Sequence, residues 1–411
     1  MRSIAEHQSA VRNVLASLAA REPELWSRPL PPASAVPRVL AADVATAIDL
    51  PPFDNSQMDG YAVRSSEIAA GATLTVARRI AAGAAVATLD PGTAAPIMTG
   101  APMPGGADAV IPIEESTPDR FQPDDGLRTV AFAAPVTEGT FVRRRGSDLT
   151  AGSLLLPAGT RLGPAQWGVL AAAGVQNIPL VSRVRVLVLS TGDELVARGS
   201  ELGPGRIHDA NSSSLAVALA GAGAEVVASR VVSDDAATMR GILREHAADI
   251  DLIVTTGGVS QGAYEVVRDV FEGAGVEFVS VAMQPGGPQG LGTATVGDRR
   301  IPVVAFPGNP VSVLVSFEMF LRPVLRELHG LRADRPTTVA RLSAALDSPP
   351  AKHQVRRGRL VGGDNDEVEL VGGASSHLIY NYAVSNILVH VPAGVSHLEA
   401  GDEVTVWSID D

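Results

Sequence analysis

Between Arg183 and Asp334, short apolar runs alternate with helix-forming stretches in a regular rhythm. Residues 184–189, 226–232, 252–255 and 301–306 read as strands, and residues 212–222, 236–246, 264–272 and 311–328 read as helices. A continuously apolar strand needs cover on both faces, and strands separated by helices run parallel. This stretch therefore predicts a parallel sheet with helices on both sides. In such sheets ligands sit beyond the carboxyl ends of the strands, which is where the unusual loops of this stretch fall.

The flanks are built differently. Residues 45–145 carry short β-prone runs at 73–77, 109–113, 129–133 and 141–143, separated by Gly and Pro. Residues 335–411 repeat that pattern at 338–342, 367–371, 387–391 and 403–408. A first helix over 3–20 places Ile4, Val11, Val14, Leu15 and Leu18 at helical spacing. It ends ahead of an extended connector marked by Pro29, Pro31, Pro32 and Pro37, and a short helix over 163–173 leads into the larger body. With 411 residues the chain exceeds one ordinary core. The expected fold class is multidomain α/β plus β: a connecting domain of 1–44 with 146–180, a small mostly-β domain over 45–145, a parallel-sheet α/β domain over 181–334, and a C-terminal β-barrel or sandwich over 335–411.

Charge and cysteine usage exclude several functions. The formal net charge is -12 and no Lys/Arg block could track a nucleic-acid backbone, so nucleic acid is not an expected partner. No apolar run reaches the roughly 18 residues that span a bilayer, and polar residues interrupt the first twenty positions, so a cytoplasmic location is expected. The absence of cysteine removes disulfides and thiolate metal ligands together. Arg replaces Lys everywhere except at Lys352, a bias that reads as GC-rich codon usage. Anion sites are then expected to use guanidinium groups, backbone N–H groups or helix ends.

Three loops follow strands of the α/β segment. Ser190-Thr191-Gly192-Asp193-Glu194 leaves two acids at a strand end, where Asp193 serves equally well as a cap. In Thr255-Thr256-Gly257-Gly258-Val259-Ser260 the paired glycines let backbone N–H groups approach an anion. Glu265 beyond it either holds a cation or simply occupies a first helical turn. Phe306-Pro307-Gly308-Asn309-Pro310-Val311-Ser312 is stiffened by two prolines, with Pro310 suited to the first helical position and Asn309 to the cap. Asp209, Asn211, Asp234 and Asp235 each read as caps. Convergence of Glu194, Asp234 and Glu265 at one sheet edge would instead favour Mg²⁺. In the β segment, Asp59, Thr99 and the basic run Arg143-Arg144-Arg145 ahead of Asp148 stand in dense polar loops.

Seven strings occur in order along nearly the whole chain: PPFDNSQMDGYA, IMTGAPMP, RRRGSDL, LPAGTRL, STGDEL, TTGGVS and FPGNPVS. Together they resemble the molybdopterin molybdenumtransferase family, which includes the gephyrin E domain. The resemblance implies an elongated homodimer whose α/β segment is similar to a pterin-binding fold. It also implies insertion of molybdate into adenylyl-molybdopterin with Mg²⁺-dependent release of AMP. The family's functional positions fall on Asp59, Thr99, Asp148, Glu194, Asp234, Glu265, Pro307 and Pro310. Glu194, Asp234 and Glu265 would hold Mg²⁺, with Glu at 265 where the family usually has Asp. Gly257, Gly258, Ser260 and Asn309 would bind substrate, and Pro288, Ser312, Arg356 and Ser376 fall on the molybdate pocket. Molybdopterin adenylyltransferase and molybdoenzymes are the partners this role would bring.

Two departures stand out. The family's Lys-Pro-Gly-Lys-Pro stretch reads Gln284-Pro285-Gly286-Gly287-Pro288, so both pocket lysines are absent, with Arg357 and Arg359 the nearby candidates to compensate. Gln261-Gly262-Ala263 lacks the acid usual there. Two rival readings remain: a molybdopterin adenylyltransferase, which would need only the α/β segment, and a non-catalytic paralogue that binds cofactor intermediates or scaffolds partners.

Overall fold

Val184, Val186 and Val188 are fully buried on one face of a sheet, and Leu187 and Leu189 on the other. A strand that is apolar at consecutive positions is thus covered twice, as its pattern requires. The computed structural model describes residues 1–28, 37–123, 127–259, 265–362 and 366–410. They form two units, one of residues 1–41 with 179–411, the other of residues 42–178.

The larger unit is built on strands β1 (Arg185–Thr191), β2 (Glu225–Val232), β3 (Leu252–Thr256), β4 (Val276–Ser280), β5 (Pro288–Val296) and β6 (Arg299–Phe306). Their order is β2-β1-β3-β6-β5-β4. The first four run parallel, as the helix-separated spacing predicts. The last two add an antiparallel edge. Its cause is local: only Gly297 and Asp298 separate β5 from β6, and so short a connection can join antiparallel neighbours alone.

Helices α1 (Ile4–Leu15), α2 (Asn211–Gly221), α3 (Ala236–His246), α4 (Val266–Phe271), α5 (Pro310–Ser316) and α6 (Arg322–Leu328) cover the sheet. Ser3 and Glu6 close a capping box at the start of α1. Val11 and Leu15 of α1, Leu215 and Leu219 of α2 and Leu325 of α6 pack with Val186 and Val188. Met239 and Leu243 of α3 and Val267 and Phe271 of α4 pack with Leu187 and Leu189. The predicted helix over 311–328 is present but passes through a π-helical turn, Phe317–Leu321. That turn buries Glu318, which accepts two hydrogen bonds from Arg335 at 2.8 and 2.9 Å.

Strands β7 (Thr337–Leu342), β8 (His353–Val361), β9 (Glu367–Leu370), β10 (Ile387–Val391) and β11 (Glu403–Ser408) complete this unit. The pairings β8–β9, β9–β7, β7–β11, β11–β10 and β10–β8 close a ring, so the C-terminal segment is a barrel rather than a sandwich. Leu342, Val368, Val389 and Val406 fill it.

The smaller unit holds a six-stranded sheet that includes Gly60–Val63, Ala72–Val76, Thr93–Ile97, Ala109–Pro112 and Thr129–Phe132. Tyr61, Val63 and Phe132 pack on one face and Ala62, Ile97 and Val110 on the other. The helix Pro164–Ala172 belongs to it. Among the described residues no helix is long and apolar enough to cross a membrane.

Buried histidines, His7 and His329 among them, couple the larger unit to pH. His329 accepts a hydrogen bond from the Val184 backbone N–H through Nε2 (3.0 Å) and pairs through Nδ1 with the Leu325 carbonyl (2.6 Å), so it is neutral when folded. Burial pushes His7 and His329 from 6.5 down to about 4. The unfolded chain therefore binds more protons between those values. Stability is full above pH 6.5 and falls as pH drops toward 4, by up to about 1.4 kcal/mol per pH unit for each histidine. Urea unfolding across this window tests it: the slope is expected to flatten by one proton in His329→Gln, and an unchanged slope would count against the assignment.

Candidate active site

The parallel register lines up four strand ends. Thr191 lies opposite Val232, Ser190 opposite Thr256, and Thr256 opposite Phe306. The loops leaving these strands therefore surround one cleft of about 550 Å³. Glu194, Asp234 and Glu265 line it, together with Gly257, Gly258, Asn309 and Pro310. Residues far apart in sequence meet here because the strands before them are paired.

The glycine turn is held tightly. Gly257 has φ +86°, and a Cβ there would stand 2.7 Å from the Thr191 carbonyl oxygen. Gly258 has φ +62°, and its Cβ would stand 2.9 Å from Cγ2 of Val267. Neither position admits a side chain, so backbone alone faces the cleft at this point. Ser260 and the Gln261-Gly262-Ala263 departure lie outside the described residues.

The acids sense one another. Burial holds the Asp234 carboxyl above its usual range, and Asp193, then Glu194 and Glu265, push it the same way against a hydrogen bond with the Asp193 backbone. The Asp193 carboxylate in turn accepts a hydrogen bond from the Asp234 N–H at 3.1 Å. Asp235 has the capping role: it accepts from Thr238 N–H at 2.7 Å and Ala237 N–H at 3.4 Å. Among the described residues no three acids or histidines form a ready metal cage. The expected trio thus shares a cleft without forming a coordination shell.

A second cleft, of about 560 Å³, adjoins the first. Gln284, Gly287, Pro288, Pro307, Ser312 and Ser376 line it, and Gly308 and Asn309 line both clefts. No carboxylate is among its described lining residues, and Lys352 is the only charged one. The Ser376 carbonyl accepts from the Val311 N–H at 3.1 Å, tying the barrel loop to α5. Arg356 is not among the lining residues. It is buried behind the loop and donates to the Gly372 carbonyl at 3.2 Å, while Arg357 donates to Gly373. Arg359 is exposed and donates to Val384.

Sequence reasoning missed three contributors. Asn211 reads as a cap, but its Nδ2 donates to the Gly308 carbonyl at 2.7 Å and so pins the wall between the clefts, while Asp209 accepts from the Ser212 N–H at 3.1 Å. His377 joins the first cleft from the barrel side, and Lys352 joins the second. The last two come from the C-terminal β segment, where periodicity carries no site information.

In the smaller unit the flagged strings meet one another. Asp59 accepts from the Thr99 N–H (2.6 Å) and hydroxyl (2.7 Å), and these bonds hold its carboxyl below its usual range. Asp54 accepts from Arg144 and from the Arg145 N–H, at 2.9 and 2.7 Å. Asp148 is exposed, with its N–H on the Leu50 carbonyl at 2.9 Å.

Three family models match in sequence: the MoeA N-terminal region (domain I and II) over residues 2–174, a probable molybdopterin binding domain over 187–327, and the MoeA C-terminal region (domain IV) over 339–409. Molybdopterin molybdenumtransferase 2 of Mycobacterium tuberculosis is 44% identical across 100% of both chains. Molybdopterin molybdenumtransferase 1 of the same organism is 36% identical over 99% of this chain and 98% of its own length. The solved structure of the molybdopterin biosynthesis MoeA protein from Pyrococcus horikoshii has a TM-score of 0.72 and 30% identity, covering 98% of this chain and 99% of that one.

The glycine turn yields a direct comparison. Gly257→Ala and Gly199→Ala both place a side chain at positive φ, but only the first meets a neighbour, since nothing lies within 4 Å at Gly199. The left-handed backbone alone costs about 1–2 kcal/mol. Urea unfolding is expected to show the larger loss for Gly257→Ala, and equal losses would contradict the tight turn.

Proposed function

The chain belongs to the molybdopterin molybdenumtransferase family, and from that premise we propose that its two adjoining clefts divide the substrates of metal insertion. The acid-lined cleft takes the phosphoanhydride of adenylyl-molybdopterin. The acid-free cleft takes molybdate. The observation that carries this reading is the shared wall of Gly308 and Asn309: both ligands are anions, and the acid-lined cleft would accept one only with a divalent cation neutralising it, whereas the neighbouring cleft, whose described lining has no carboxylate, takes one directly.

The residues have distinct roles in this reading. Backbone N–H groups of Gly257 and Gly258 receive phosphate oxygens, with Ser260 beyond them. Glu194, Asp234 and Glu265 offer oxygen ligands to Mg²⁺. When bound, that ion supplies charge neutralisation of the pyrophosphate. Burial raises the Asp234 carboxyl and the neighbouring acids add to the shift, which supports the assignment because a dication would favour the ionised form. Pro307 and Pro310 fix the loop that separates the ligands, and Asn211 holds that loop to α2. Ser312, Ser376 and Pro288 face the molybdate, and Arg356 acts from behind by holding the Gly372 carbonyl. Release of AMP as the dithiolene captures the metal then depends mostly on positioning and electrostatics. Asp59, Thr99 and Asp148 of the smaller unit are included because they match the functional positions of the family.

The reading as an adenylyltransferase loses support from the extent of the match, which runs through all three segments. The reading as a non-catalytic paralogue rests on Gln284 and Gly287.

Purified protein incubated with adenylyl-molybdopterin is expected to release AMP only when Mg²⁺ and molybdate are both present. Asp234→Asn is expected to slow that release on the order of 100-fold while leaving the melting temperature near that of the parent. Release that ignores molybdate, or a variant with undiminished rate, would contradict the assignment.

A further inference from the structure

We propose that Lys352 is the binding cation of the second cleft, supplying from the barrel the positive charge that positions 284 and 287 lack. The inference rests on the molybdate reading of that cleft and identifies the side chain on which its affinity depends.

The argument starts from the backbone. Strand β8 opens beside the Gln284–Pro288 loop: the His353 N–H donates to the Ala282 carbonyl at 2.9 Å, and Met283 and Gln284 pair in parallel with His353 and Gln354. Gln354 Nε2 also donates to Gln284 Oε1 at 2.9 Å. Lys352 therefore leaves the chain at the edge of the loop that carries positions 284 and 287, and it lines the same cavity. Its ammonium has no ion-pair partner among the described residues, and no carboxylate lines the cleft beside it. Of the 33 Lys and Arg residues, all but this one are Arg. The single Lys lines the same cavity as the Ser312 and Ser376 hydroxyls, and its ammonium is a compact charge with three donors, unlike the planar fork of a guanidinium. The neighbouring Ser312 and Ser376 hydroxyls complete a set of donors suited to a tetrahedral oxyanion.

Position 287 offers a control. A Cβ there would lie 3.4 Å from the Met283 and Val281 carbonyl oxygens, an ordinary contact, so a lysine can be placed at 287 without rebuilding the loop. At Gly286 the same atom would meet Ser316 Oγ at 2.7 Å.

Because there is one lysine, its amine can be followed against the α-amine of Met1 in the same molecule. Tungstate is titrated into the full chain by calorimetry, and acetylation of both amines is timed by mass spectrometry with and without it. Tungstate is expected to slow acetylation at Lys352 on the order of tenfold and leave Met1 unchanged. Lys352→Met is expected to weaken tungstate binding on the order of 100-fold, and Gly287→Lys in that background to restore part of it. Unchanged affinity in Lys352→Met, no protection at saturating tungstate, or no tungstate binding by the parent would each overturn the proposal. Molybdate-dependent AMP release by the parent, measured separately, would still stand in the first two cases and tests the function itself.

Discussion

The pairing of β1 with β2 and β3, and of β3 with β6, is the constraint from which the site follows. Parallel register puts Thr191, Val232, Thr256 and Phe306 on one sheet edge. Every loop that lines the first cleft from the sheet leaves from one of these ends. A one-residue slip of any strand would exchange the sets that pack on the two faces, Val186 and Val188 for Leu187 and Leu189, so burial enforces the register. The energy that holds four loops together is therefore spread through two apolar cores rather than placed in the loops.

That arrangement lets the loops carry groups that would be unfavourable elsewhere. Burial raises the Asp234 carboxyl in the first cleft, and the nearby Asp193, Glu194 and Glu265 add to that shift. A few residues away the described lining of the second cleft has no carboxylate and one ammonium. The wall between them is stiff for identifiable reasons: proline on either side of Gly308 and Asn309, and the Asn211 amide on the Gly308 carbonyl. Opposite electrostatic characters can then lie side by side without averaging out.

The α/β segment was readable from the sequence because strands buried on both faces are continuously apolar and the helices between them are long. Strands β4, β5 and β8 were not. β5 mixes Gly and Thr with its apolar residues, and β8 carries His353, Gln354, Arg356, Arg357 and Arg359. Pattern alone therefore left the antiparallel edge unseen and barrel or sandwich open. At the site, Glu194, Asp234 and Glu265 could be named from their positions after strands, and they do meet in one cleft. Asn211 passed for a cap because caps and bridges use the same amide. Lys352 passed for a codon-usage accident because nothing local marks it. Arg356, expected in the oxyanion pocket, is buried and spends a donor on Gly372. Which way a strand side chain points cannot be known until the register is.

The separation of the two ligands across the Gly308–Asn309 wall is the central claim. Anomalous diffraction from crystals of the full chain soaked with tungstate, Mn²⁺ and AMP tests it most directly. The tungsten peak should lie between Ser312, Ser376 and Lys352, with manganese on the far side of the wall near Asp234. Both metals on one side, or tungsten away from Ser312 and Ser376, would contradict it.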